Sequence, residues 1–189
     1  MVAALSLRLV AGTLRGRRLE TPAGVRPTGA RLREALASIW RDRLPGRRFL
    51  DLFAGSGAVG LEAWSLGAAQ VTFVESAPRV LAVLRRNVAA LAPAAEIVRG
   101  LLPGALDALA AEPFDVVFAD PPYAFDDYAA LLCAAAAHTR PGGAIAVEHS
   151  ARVDLAAEAA LWRCRDRRRY GETCVSFFEI ADGESAHRV

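Results

Sequence analysis

No lysine occurs in this 189-residue chain, so all 23 of its basic residues are arginine. Cysteine and histidine are scarce too, three of each. Cys133, Cys164 and Cys174 are odd in number and lack metal-ligand spacing, which argues against a disulfide scaffold or a zinc module and predicts buried thiols in a reducing compartment. His138, His149 and His187 form no HExxH or related pattern. Long apolar runs are missing. The longest charge-free stretches, Ala63 to Val74 and Tyr128 to Thr139, hold twelve residues each, short of the roughly 18 that a membrane span needs. Met1 to Leu7 is mildly apolar but has neither a basic segment before it nor a convincing cleavage site, so secretion is not expected. With 53% hydrophobic and 23% charged residues, the chain can bury a sizeable interior and is not compositionally disordered. The expectation is a cytoplasmic globular protein with one main core and at most a small appendage.

A net charge of +2 conceals an uneven distribution. Residues 1 to 48 carry eleven arginines against Glu20, Glu34 and Asp42, a balance of +8, and the remainder carries −6. A basic front end on an acidic body points to a polyanion-binding element joined to a catalytic or cofactor domain.

The chain starts with a pattern for a short hairpin, Leu7 to Ala11 and Arg17 to Glu20, with Gly12 and Gly16 at the turns. Arg26-Pro27-Thr28 enforces an extended step, and a helix follows with Leu32, Leu36, Ile39 and Trp40 on one stripe. Pro45-Gly46 marks a boundary. Beyond it, short apolar runs at Phe49 to Phe53, Gln70 to Val74, Glu96 to Val98, Phe114 to Ala119 and Ala144 to Val147 alternate with helical patterns near 58 to 66, 78 to 91, 102 to 111, 126 to 138 and 152 to 159. Such alternation implies a parallel sheet covered on both faces. Ser76 is available to cap the second of these helices. Leu161 to Tyr170, Gly171-Glu172 and Thr173 to Ile180 read as an antiparallel hairpin. The predicted units are a basic N-terminal hairpin and helix over 1–46, a catalytic domain over 47–181 and a tail over 182–189.

Two motifs carry chemistry. Phe49 to Phe53 runs into Ala54-Gly55-Ser56-Gly57-Ala58-Val59-Gly60, a glycine turn from strand to helix where ligands can touch backbone amides. Glu75 ends the next strand, positioned to accept hydrogen bonds from ribose hydroxyls. The loop alone fits a dinucleotide fingerprint equally well. Asp51, four residues before the first glycine, would oppose a pyrophosphate and suits a cofactor with a cationic centre, such as S-adenosylmethionine.

The second motif is Asp120-Pro121-Pro122-Tyr123 at the end of a buried strand. Two prolines stop the strand, leaving Asp120 at the carboxyl edge of the sheet. There its carboxylate and the Pro121 carbonyl can accept both hydrogens of an exocyclic amino group, and Tyr123 can stack on the base. Among the arginines, Arg15, Arg17, Arg18, Arg26 and Arg31 are the candidates for phosphate contact. Arg165, Arg167 and Arg169 point to one face of a strand and read as solvent-exposed. Glu148 and His149 read as structural, and Cys133 as core.

The chain resembles the RsmD family of bacterial 16S ribosomal RNA guanine-N2 methyltransferases, which belong to the class I S-adenosylmethionine-dependent enzymes. The resemblance covers about residues 8 to 180. It rests on Gly12, Arg15-Gly16-Arg17-Arg18-Leu19, Arg26-Pro27-Thr28, Arg31, Arg33-Glu34, Asp51 to Gly57, Asp120 to Tyr123 and Val147-Glu148-His149. It implies an α/β, Rossmann-like fold, with a seven-stranded, mostly parallel sheet, a C-terminal antiparallel hairpin and a small N-terminal hairpin and helix extension. It also implies S-adenosylmethionine as cofactor, held by Asp51, Phe53, Ala54, Gly55, Gly57 and Glu75, and catalysis by Asp120, Pro121 and Tyr123. Pro122 and the five arginines would contact 16S ribosomal RNA in small-subunit particles. No metal, no membrane and a monomer are expected. Arg99-Gly100-Leu101-Leu102 departs from the common pattern, because no acid follows the third strand and backbone near Leu101 would have to read the adenine.

On the residues alone, other readings stay open: an amino-methyltransferase acting on DNA adenine or protein glutamine, a non-catalytic RNA-binding assembly factor, and a dehydrogenase.

Overall fold

A computed structural model describes residues 7–25, 28–155 and 161–180. The chain order is β1 (Leu7–Arg8), β2 (Arg18–Leu19), α1 (Ala30–Trp40), β3 (Arg48–Leu52), α2 (Ala58–Ser65), β4 (Gln70–Glu75), α3 (Pro78–Leu91), β5 (Glu96–Arg99), a 3-10 turn (Gly104–Ala108), β6 (Phe114–Ala119), α4 (Tyr128–Ala137), β7 (Thr139–Ser150), β8 (Trp162–Tyr170) and β9 (Thr173–Ile180). Seven strands form one sheet in the order β5-β4-β3-β6-β7-β9-β8. Its first five are parallel, and β9 runs antiparallel to both β7 and β8. This is the α/β sheet with a C-terminal antiparallel hairpin expected from the alternation.

Burial explains why the central strands read as unbroken apolar runs. Every residue of β6 and all of β3 after Arg48 are buried, because α-helices cover both faces of a parallel sheet. One core layer joins Leu36 and Trp40 of α1 to Phe49, Phe73 and Phe118, with Trp40 meeting the Phe49 and Phe118 rings edge-on. The opposite layer centres on Leu50, Leu52, Val117, Ile145 and Leu131.

The chain starts as a two-stranded arm, β1 against β2, docked on α2 and α3 by polar contacts. Glu62 of α2 accepts the Val10 and Ala11 N–H groups at 2.7 and 3.0 Å and pairs with the buried Arg33 of α1 at 2.8 Å. Ser65 accepts the Leu14 N–H and donates to the Ala11 carbonyl. Gly12 passes so close that a Cβ there would collide with the Ser65 backbone, and its φ of +71° lies in the left-handed region. Asn87 of α3 bonds both backbone groups of Glu20 and also reaches the Ser56 carbonyl in the glycine loop.

Several elements depart from the sequence pattern, each for a physical cause. Both arm strands are two residues long: Leu9 still bonds across the arm to Gly16 and Arg17, but the Val10 and Ala11 N–H groups turn to Glu62 of α2 instead of extending the ladder. Ile39 is only half-buried, and the stripe of α1 includes Arg33. The helix expected over 102 to 111 is a single 3-10 turn, Gly104–Ala108, ended by Leu109 in an extended conformation. The cap of α3 is Ala77 rather than Ser76, with the Glu75 carboxylate accepting the N–H groups of both residues. Strand β7 is longer than expected, starting at Thr139. Cys133 and Cys164 are exposed and only Cys174 is buried, since Cys133 sits on the outward face of α4. The helix pattern near 152 to 159 lies partly, and the tail 182–189 wholly, outside the described residues. Among the described residues no helix is long and apolar enough to cross a membrane.

Candidate active site

The strand order reverses direction at β3, with β4 on one side and β6 on the other, and open α/β sheets bind ligands at such a switch, beyond the carboxyl ends of the strands. Register aligns those ends: Leu52 pairs with Val74 on one side and Ala119 on the other. The glycine loop after β3, Glu75 at the end of β4 and Asp120 after β6 therefore open at one edge. They line a single cavity of about 710 Å³, within the usual size range of small-molecule sites.

Asp51, Phe53, Ala54, Gly55, Glu75 and Leu101 of the expected cofactor residues line this cavity, as do Asp120, Pro121, Pro122 and Tyr123. Gly57 does not. It caps α2 at φ +81° and its Cα faces Leu84 of α3. Gly60 has a packing reason of its own, because a Cβ there would strike the Phe73 ring and the Asp51 carboxylate. Of the arginines expected to contact RNA, Arg15, Arg17, Arg18 and Arg31 are exposed and outside the cavity lining, and Arg26 lies outside the described residues.

Formal charge among the described lining residues is of one sign. Asp51, Glu75, Asp120 and Glu148 line it, and among the described residues no arginine does. Asp51 is 2% exposed, and its Oδ2 accepts the Gly60 N–H at 2.8 Å. Burial raises its pKa well above the ordinary aspartate value. The Gly60 bond opposes that shift, while the neighbouring Asp120 and Glu75 add to it. A cation beside Asp51 relieves this strain, whereas a diphosphate would increase it. Glu75 receives the Gly55, Ser76 and Ala77 N–H groups at 3.0, 2.8 and 2.9 Å. A carboxylate offers about four acceptor positions, so accepting two ribose hydroxyls requires one of these N–H groups, such as that of Gly55, to turn away.

Aromatic residues shape the wall. Phe53 adopts a φ of +58°, unusual for a bulky side chain, and its ring meets Phe125 edge-on, which in turn meets Tyr128. Tyr123 and Leu101, which line the cavity, stand 74% and 78% exposed. His149 is buried with the proton on Nδ1, donated to the Ser150 carbonyl, so that Nε2 accepts from the Ser176 hydroxyl. Burial lowers its pKa and favours this neutral form.

The arm also belongs to this site, a part that neither sequence motif marks. Pro22, Gly24, Val25, Thr28 and Gly29 line the cavity, and the Thr28 hydroxyl donates to Oδ2 of Asp120 at 2.9 Å. The local signal for this contact is the Arg26-Pro27-Thr28 tripeptide, in which the threonine follows the arginine by two residues.

A family model described as conserved hypothetical protein 95 matches residues 7–179. The Ribosomal RNA small subunit methyltransferase D of Haemophilus influenzae is 38% identical over 136 residues, 67% of this chain and 70% of that protein. A solved structure of a hypothetical protein from Thermus thermophilus superimposes with a TM-score of 0.77 at 38% identity, covering 92% of this chain and 99% of that one. A precorrin-6y C5,15-methyltransferase of Geobacter metallireducens shares the fold, with a TM-score of 0.65 at 18% identity over 86% of this chain and 94% of that one.

Proposed function

From the chain's membership of the conserved hypothetical protein 95 family, the RsmD family, we propose that it transfers a methyl group from S-adenosylmethionine to the exocyclic N2 of a guanine in 16S ribosomal RNA. The observation that carries this reading is the common cavity of the glycine loop and the Asp120-Pro121-Pro122-Tyr123 turn. An acidic pocket with no arginine among its described lining residues fits a sulfonium cation and disfavours a dinucleotide. In this reading Asp51, Phe53, Ala54, Gly55 and Glu75 hold S-adenosylmethionine, with Gly57 setting the loop from behind and the backbone at Leu101 reading the adenine. When bound, that cofactor supplies an electrophilic methyl group.

The chain's own residues prepare the acceptor. The lone pair of an exocyclic amine is delocalised into its ring, which makes the nitrogen a poor nucleophile at rest. Asp120 and the Pro121 carbonyl accept its two hydrogens and favour a pyramidal nitrogen with its lone pair aimed away from them. The carboxylate also stabilises the positive charge that grows on nitrogen, and Asp120 or solvent takes the proton. Tyr123 stacks on the base, which must leave its own stack or already lie in a loop. Orientation of this kind is worth at most about 7 to 11 kcal/mol.

The same proposal divides the chain into a basic arm and helix over 1–46 and a catalytic domain over 47–181. Arg15, Arg17, Arg18, Arg26 and Arg31 then meet the phosphates of RNA in small-subunit particles, and the enzyme works as a cytoplasmic monomer without a metal. Asp120→Ala tests the reading. Transfer of a labelled methyl group to small-subunit particles is expected to fall at least about a hundredfold, with S-adenosylmethionine affinity retained by calorimetry. Undiminished transfer removes the mechanism, and mapping of the label to another nucleotide type removes the guanine assignment.

A further inference from the structure

The prolines after Asp120 fix its backbone but do not by themselves set the last torsion of its side chain, which for aspartate is broad and roughly two-fold. A carboxylate that must receive one particular hydrogen needs that rotation set in advance. Thr28 is placed to set it. Its Oγ1 donates to Asp120 Oδ2 at 2.9 Å across 92 residues of sequence, and both residues line the cavity.

Thr28 is itself firmly held. Its carbonyl accepts the Arg33 Nε–H at 3.2 Å. Arg33 is 2% exposed and is fixed in turn by Glu62 at 2.8 Å and by the Arg8 carbonyl at 2.9 Å. A buried guanidinium thus ties the Thr28 backbone to α1, α2 and β1, and the hydroxyl projects from that fixed base to the carboxylate. Hydrogen bonds to an ionised acceptor are the stronger and more directional kind.

We propose that Thr28 is a positioning residue for methyl transfer: by holding Oδ2 of Asp120 it turns the carboxylate plane toward the acceptor amine. This rests on the functional reading above. It makes the arm part of the catalytic centre, so that the element presenting Arg15, Arg17 and Arg18 to RNA also orients the carboxylate that acts on the base.

The test uses the full chain with labelled S-adenosylmethionine and small-subunit particles, comparing Thr28→Val and Thr28→Ser. Valine keeps the shape and removes the donor, while serine keeps the donor. The expected result for Thr28→Val is a fall in kcat of about tenfold to a hundredfold, the scale of loss from a misplaced reacting group. KM for particles and the calorimetric Kd for S-adenosylmethionine should stay within about threefold of the parent, and Thr28→Ser should recover most of kcat. An unchanged kcat in Thr28→Val overturns the proposal. So does a serine variant as slow as valine, or a loss that falls on either affinity instead of kcat. Failure of the unaltered chain to methylate any particle overturns the functional reading and this proposal with it, whereas transfer indifferent to Thr28 overturns this proposal alone.

Discussion

Two regions of the molecule are rich in arginine and differ in how its exposed guanidiniums are partnered. On the arm and α1, Arg15, Arg17, Arg18 and Arg31 are exposed and make no ion pair among the described residues. On the edge strand β8, Arg165 pairs with Glu179, Arg167 with Asp154 and Arg168 with Asp166, and Arg168 also lies over the Phe177 ring. Unpaired guanidiniums keep their full field for an incoming polyanion. Paired ones along an exposed edge blunt that edge against pairing with another strand. The attachment of the two regions differs as well. A buried ion pair and backbone hydrogen bonds fasten the arm, whereas β8 is held by its ladder to β9. Richness in arginine therefore does not mean one function, and the difference lies in where the carboxylates are.

The sharpest test of that contrast is at the attachment. Arg33→Met leaves Glu62 buried at 5% side-chain exposure without its cation, a change that typically costs about 3 to 5 kcal/mol. Arg168→Gln breaks a pair whose members are 44% and 47% exposed, and such surface pairs are worth about 0 to 1 kcal/mol. Denaturant unfolding of the two variants should differ accordingly, and similar losses would show that the arm is no more firmly bolted than the edge.

Next in size is the effect on RNA. Replacing Arg15, Arg17 and Arg18 together by glutamine should weaken particle binding and flatten its dependence on log salt by about two, the share of three phosphate contacts on single-stranded RNA. The matching triple on Arg165, Arg167 and Arg168 should change affinity by no more than about twofold, as surface substitutions generally do. Filter binding at a series of salt concentrations checks both, and equal slopes would dissolve the distinction between the regions.

Much of this was legible from local pattern. The glycine loop, the Asp120 turn and the boundaries of α3 come from short-range chemistry: strand periodicity, proline and glycine at element ends, and apolar spacing in a helix. The arm's attachment was not. Nothing local marks Arg33 as buried and paired, because its partner Glu62 is 29 residues away. Thr28 and Asp120 are 92 residues apart, so only the fold reveals their contact. Ser76 has the right chemistry for a cap, yet Glu75, one residue earlier, accepts both N–H groups at that end of α3. The exposure of Cys133 was not legible, because an alanine-rich helix has little amphipathic contrast to show which face is turned inward.

The smallest expected effect, and the most specific, is in acid. Burial raises the carboxyl pKa of Glu62 on the arm side, against the Val10 and Ala11 N–H groups and Arg33, which pull it down. On the other side, the Arg43 and Arg165 guanidiniums lower that of Glu179. A raised carboxyl binds more protons folded than unfolded, so its stabilising share is complete below the ordinary glutamate value and is lost as pH rises through the raised one. A lowered carboxyl does the reverse, its share being complete above the ordinary value and lost as pH falls through the lowered one. Glu62→Gln should therefore remove a slope that falls with pH above the ordinary glutamate range, and Glu179→Gln one that rises with pH below it. Urea unfolding of both variants and the parent across that range reads the two slopes. If they share a sign, the arm and the edge do not treat their carboxylates differently, and the charge contrast between the regions reduces to their arginines alone.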